Sequence, residues 1–208
     1  MLAEYDTVFL IDDSSSMAGP RWEQAQKAVM GVVQQAVRYS RNGIDCFFMN
    51  SKRVGKDLRV PADVEDLFAG LQPRGATPTG LRIEAILREY MSRLERSVAT
   101  GDEEVPSMNL IVVTDGAPTD DPESVLVSIA KRLDRGDFPL SQVGVQLLQI
   151  GDDADAREAL QELDDGLAAA HGVRDMVDTV PYRGEELTSD LIVKVLLGGI
   201  NRRLDRRG

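Results

Sequence analysis

The sequence predicts a three-layer, doubly wound α/β domain, a mostly parallel sheet with helices on both faces. Three observations carry that prediction. Short runs at roughly 6–11, 44–49, 109–114, 143–150 and 176–180 are nearly continuously apolar, as strands buried on both faces are. Between them apolar residues recur at three- and four-residue steps, the inner stripe of an amphipathic helix. The two signals alternate along the chain, and parallel strands need such helix-length crossovers.

Taken in order, Thr7-Val8-Phe9-Leu10-Ile11 forms the first strand and runs straight into Asp12-Asp13-Ser14-Ser15-Ser16-Met17. Pro20 suits the first turn of a helix starting near Arg21, because its missing N–H has no partner there anyway. Ala25, Ala28, Val29, Val32, Val33, Ala36 and Val37 give that helix its apolar stripe. The second strand is Ile44-Asp45-Cys46-Phe47-Phe48-Met49, in which Cys46 reads as a small buried residue rather than a reactive thiol. Gly75-Ala76-Thr77-Pro78-Thr79-Gly80 is a glycine-flanked turn before a helix striped with Ile83, Leu87, Tyr90, Met91, Leu94 and Val98. An acidic loop, Gly101-Asp102-Glu103-Glu104-Val105-Pro106, leads to the strand that ends at Thr114-Asp115-Gly116. Asp121-Pro122-Glu123 opens a helix over about 122–135, and Gly136 follows its end. After the last two strands, Leu187, Leu191, Val195, Ile200 and Leu204 mark a final helix over about 187–205, interrupted by Gly198-Gly199. Its Arg202, Arg203, Arg206 and Arg207 suit the negative helix terminus, with a basic docking patch as the alternative.

With 208 residues the chain is expected to form one domain, 1–208. A formal net charge of -11 disfavours a nucleic-acid backbone, which needs a basic face, and anionic membrane surfaces. Cys46 is the only cysteine, so an internal disulfide is excluded. No apolar stretch approaches the ~18 residues of a membrane span. The N-terminus also lacks the basic-then-apolar pattern of a signal peptide. An intracellular, cytoplasmic setting is expected.

The chemistry concentrates at Asp12-x-Ser14-x-Ser16, a carboxylate and two hydroxyls at alternate positions after a strand. Such hard oxygen groups suit a small divalent cation such as Mg²⁺. They equally suit an N-cap cluster. Thr77 in its glycine-flanked turn and Asp115 after the third apolar run complete a pattern: strand–DxSxS, GxT before a helix, strand–TDG. In that order the three segments resemble the von Willebrand factor A (vWA) domain family, a Rossmann-like fold, over nearly the whole chain. The resemblance implies a metal-ion-dependent adhesion site with Asp12, Ser14, Ser16, Thr77 and Asp115 as its metal residues. It further implies that Ser14 and Ser16 bind the cation directly and that Asp12 acts through water and loop hydrogen bonds. Thr77 and Asp115 would exchange between direct and water-mediated contact. The cation, Mg²⁺ or Mn²⁺, would coordinate an Asp or Glu carboxylate of a protein partner. Ligation in the family is also passed to the C-terminal helix.

Neighbouring residues read more plainly. Asp13 is expected to be a loop or cap residue facing away from Asp12, and Asp120 and Asp121 are expected to be N-caps. Trp22 is either an interface anchor or a core aromatic.

Enzyme readings fare poorly. A receiver domain lacks its length match, and a haloacid-dehalogenase-type phosphatase would need an acid where Ser14 stands. A serine hydrolase would need a base, yet His171 is the only histidine, and G-x-S-x-G is absent. The expectation is therefore a metal-dependent protein-binding module and not an enzyme. The alternatives are a scaffold module with metal-stabilised loops or a metal-dependent phosphohydrolase.

Overall fold

The computed structural model describes residues 5–36, 43–101, 104–184 and 188–194. Its strands are β1 (Tyr5–Ile11), β2 (Ile44–Phe48), β3 (Val54–Leu58), β4 (Ser107–Thr114), β5 (Val143–Gln149) and β6 (Val177–Val180). Its helices are α1 (Pro20–Ala36), α2 (Pro61–Phe68), α3 (Thr79–Thr100), α4 (Pro122–Arg135), α5 (Ala154–Asp165) and α6 (Leu167–His171), with a 3₁₀ turn at Ser15–Met17. Residues 189–194 are also helical.

The strands form one sheet in the order β3-β2-β1-β4-β5-β6. All neighbours run parallel except β2 and β3, which are antiparallel with a register shift between Ile44 and Cys46. The predicted fold class is thus borne out. Strand order reverses at β1, which has β2 on one side and β4 on the other. In open α/β sheets the crevice at the carboxyl end of such a reversal is where ligands bind. Ile11 lies opposite Val113, so Asp12 emerges beside Thr114 at that crevice and Asp115 follows one residue further on.

Successive side chains of a strand point to opposite faces, and the two faces build two cores. Phe9, Ile11, Cys46, Phe48, Ile111 and Val113 pack with Ala25, Val29 and Val33 of α1, Val64 and Phe68 of α2, and Ile192. Val8, Leu10, Leu110, Val112, Val145 and Leu147 pack with Ile83, Leu87 and Met91 of α3, Leu126 and Leu133 of α4, and Leu160 of α5. Each fully buried side chain of this kind contributes about 1.5–3 kcal/mol relative to exposure.

β3, α2 and α5 carry no assignment in the sequence reading. β3 is an edge strand whose Gly55 and Leu58 alone turn inward, so no apolar run marks it. Short α2 buries only Val64 and Phe68, and α5 only Ala156, Leu160 and Leu163. Trp22 resolves to the core reading: its ring lies 4.8 Å from that of Phe68 and 5.8 Å from that of Phe48. His171 is solvated, pairing with Glu123 at 2.8 Å on the surface. Of the final helix, Leu191 and Ile192 lie in the described part. Leu187, Val195, Gly198, Gly199, Ile200, Leu204 and the four terminal arginines lie outside the described residues, as do Val37, Tyr39, Asp102 and Glu103.

Candidate functional site

Three loops meet at the carboxyl edge of β1 and β4. The first starts where Asp12 N–H donates to the Val113 carbonyl at 2.9 Å, extending the sheet ladder by one step. Asp12 is fully buried. Its Oδ1 accepts from the Ser14 N–H at 2.8 Å and its Oδ2 from the Thr114 hydroxyl at 2.6 Å. The first bond closes an Asx-turn, bending the chain so that the serines follow at the loop tip. Burial pushes the Asp12 carboxyl above its usual range, opposed by the bonds from Thr114 and Ser14, while the nearby Asp115 charge adds to the rise. Met17, fully buried, anchors the far end of the loop.

The serine hydroxyls of Ser14 and Ser16 stand 3.1 Å apart. Ser16 Oγ then donates to Asp115 Oδ1 at 2.7 Å. A continuous chain of oxygen contacts therefore runs from the first loop to the third, across 99 residues of sequence.

The second loop is zipped to the first by its backbone. Ser15 N–H donates to the Gly75 carbonyl at 3.2 Å, Gly75 N–H to Ser15 Oγ at 3.1 Å, and Arg74 N–H to the Asp13 carbonyl at 2.7 Å. Gly75 has φ +98, a left-handed backbone that favours glycine, and an added Cβ would meet Asn50 Oδ1 at 2.6 Å and push that side chain aside. Thr77 is buried at 6% exposure. Its carbonyl accepts from Thr119 N–H at 2.9 Å, tying the second loop to the third. Its hydroxyl oxygen lies 3.7 Å from where a Cβ on Gly116 would sit. The structure thus gathers Asp12, Ser14, Ser16, Thr77 and Asp115 at one edge of the sheet.

The neighbouring acids serve as braces. Asp13 turns away from the cluster, its Oδ1 accepting from the Asn50 N–H at 2.6 Å and its Oδ2 from the Ser51 N–H at 2.8 Å. Asp121 caps α4 through Ser124 N–H at 3.0 Å. Asp120 is also a cap, but of α3 rather than of the helix it precedes. It accepts from Gly80 N–H at 2.9 Å and Leu81 N–H at 2.8 Å.

A family model described as von Willebrand factor type A domain matches residues 6–180. The chain belongs to that family. This vWA domain is similar in extent to the crystal structure of the vWF domain of the type V pili tip protein Mfa5 from Porphyromonas gingivalis. The two share 11% identity over 94% of this chain and 96% of that one, with a TM-score of 0.48. vWA domains are generally protein-interaction modules and typically non-enzymatic.

Sequence reasoning missed two residues at the edge of this vWA domain. Thr114, part of the TDG pattern but assigned no role there, holds the buried Asp12 carboxylate. Arg21, on α1, pairs its Nη1 with Asp115 Oδ2. A signal for Arg21 existed: it is the second residue of α1, where the helix dipole disfavours a cation unless a specific anion holds it. Among the described residues, no group of three or more His, Cys, Asp or Glu is arranged to hold a metal. Any cation here would therefore rely on hydroxyls for much of its shell. No helix among those residues is long and apolar enough to cross a membrane.

Proposed function

We propose that this vWA domain binds a protein partner through a divalent cation, Mg²⁺ or Mn²⁺, which takes an Asp or Glu carboxylate of that partner. The observation that carries the reading is the contact chain Ser14 Oγ–Ser16 Oγ–Asp115 Oδ1, spaced at 3.1 and 2.7 Å. These donors are all hard oxygens, the set that Mg²⁺ and Mn²⁺ prefer and zinc sites generally lack. Ser14, Ser16, Thr77 and Asp115 would hold the ion, while Asp12 orients the serine loop from behind and contributes through water. The bound ion supplies an electrophilic centre for a carboxylate oxygen. Neutral hydroxyls leave most of its charge uncompensated, so an incoming anion is attracted. The three loops are already bonded to one another, so little ordering accompanies loading. A reducing intracellular compartment suits the single, buried Cys46.

A scaffold reading draws on a different observation, the Arg21–Asp115 pair, which ties α1 to the third loop through side chains alone. Calorimetric and electron-paramagnetic titration with Mn²⁺ separates the two. The wild type should bind one ion, and Ser14→Ala and Thr77→Ala should lose it while changing stability by only about 0.5–1 kcal/mol. Unfolding of these variants, or a wild type with no saturable Mn²⁺ site, would leave the loops as structural braces.

A further inference from the structure

Arg21 sits between two fixed partners. On one side its Nη1 pairs with Asp115 Oδ2, the oxygen not taken by Ser16. On the other lies the backbone of Gly151, at φ +78, where an added Cβ would stand 3.0 Å from Nε and from Nη2. Ile150 N–H bonds the Thr114 carbonyl at 2.9 Å, which holds Gly151 beside the third loop. The guanidinium is therefore seated by the fold against Asp115, yet its side chain keeps 37% exposure at the rim.

Charge decides what this seat does. Arg21 places one positive charge beside Asp115, so the cluster carries one unit less negative charge than it would without the guanidinium. Resting on the cation reading above, we infer that Arg21 is a positioning residue that weakens the cation's hold and strengthens the loaded site's hold on a carboxylate. A divalent ion adds two positive charges, and Arg21 leaves the loaded cluster one unit more positive than it would otherwise be. Without Arg21 the same loaded cluster would be one unit less positive and would attract an anion less. Before loading, Arg21 already compensates Asp115, so the ion meets a weaker field than two free carboxylates present. Both effects are Coulombic, through the same guanidinium, and they carry opposite signs.

That sign difference gives a test that a purely structural strap would not pass. Mn²⁺ affinity is measured by electron paramagnetic resonance. Acetate is then titrated into the Mn²⁺-loaded protein and followed by water-proton relaxation. In Arg21→Gln, Mn²⁺ should bind tighter and acetate weaker, each by on the order of tenfold, the effect of one unit charge at a part-exposed site. Arg21→Lys, which keeps the charge, should stay close to wild type in both. Equal Mn²⁺ affinity in wild type and Arg21→Gln, or weakening of both ligands together, overturns the role of Arg21 and leaves the cation reading standing. A Lys variant that behaves like Gln also overturns it, since charge would then not be the cause. Absence of saturable Mn²⁺ binding in all three proteins defeats the cation reading itself.

Discussion

Replacing Asp13 by asparagine separates the brace of the first loop from its oxygen cluster. The Asp13 side chain is buried, and both its oxygens accept main-chain donors, Asn50 N–H at 2.6 Å and Ser51 N–H at 2.8 Å. The Asn50 side-chain amide adds a third bond at 3.2 Å. It also reaches the Ala76 carbonyl at 2.9 Å, one residue before Thr77. An asparagine amide keeps one acceptor oxygen and turns an NH₂ toward a donor, so one main-chain N–H loses its partner whichever way the group flips. A hydrogen bond to a charged acceptor is worth about 1.5–3 kcal/mol, and the remaining bonds lose their charge assistance. The expected cost is about 2–3 kcal/mol. At about 2–4 °C per kcal/mol for a chain of this size, the melting temperature should fall by about 4–12 °C. Differential scanning calorimetry reads this directly. Mn²⁺ titration of the folded variant should still show one saturable site, weakened only by the lost charge, because Asp13 faces Asn50 and Ser51 rather than Ser14, Ser16 or Asp115. A melting temperature within about 1 °C of wild type would refute the brace. So would loss of Mn²⁺ binding without loss of stability, which would make Asp13 a ligand.

Two further outcomes follow from the packing. The Tyr90 hydroxyl donates to the Pro106 carbonyl at 2.8 Å and accepts from Gln142 Nε2 at 2.6 Å, so Tyr90→Phe should cost about 1–3 kcal/mol in urea unfolding. Burial pushes the same phenol up to about 12 from its ordinary 10.0, so the unfolded chain releases the proton first. Its contribution is then complete below about pH 10 and disappears as pH rises through about 12. The difference between wild type and Tyr90→Phe should shrink across that window, and a constant difference would contradict it. Gly80→Ala should destabilise by about 1–3 kcal/mol, because its Cβ would meet the Asp121 carbonyl and Pro122 nitrogen at 2.8 Å, backbone that cannot step aside. An unchanged urea midpoint would show that α3 and the third loop are less tightly apposed.

The sequence by itself determined the fold class and most of the sheet. Continuous apolar runs and three-to-four-residue stripes are local properties of the chain, and each reports burial wherever the segment ends up. It also singled out Asp12, Ser14, Ser16, Thr77 and Asp115 through a resemblance to the vWA family, because DxSxS after a strand, GxT before a helix and TDG after a strand are each short motifs. The weakly patterned β3, α2 and α5 escaped, since a short or edge element buries only two or three side chains and leaves no periodic trace. Only the tertiary structure decided what the loops do to one another. That Asp13 holds Asn50 and Ser51, that Asp120 caps α3, and that Thr114 holds Asp12 all depend on which strand ends lie adjacent in the sheet. The Arg21–Asp115 pair spans 94 residues, and the only local hint of it was a cation at the wrong end of a helix. Strand order is settled by packing two cores onto opposite faces at once. The polar contacts at the carboxyl edge are consequences of that order, and no short window of sequence contains it.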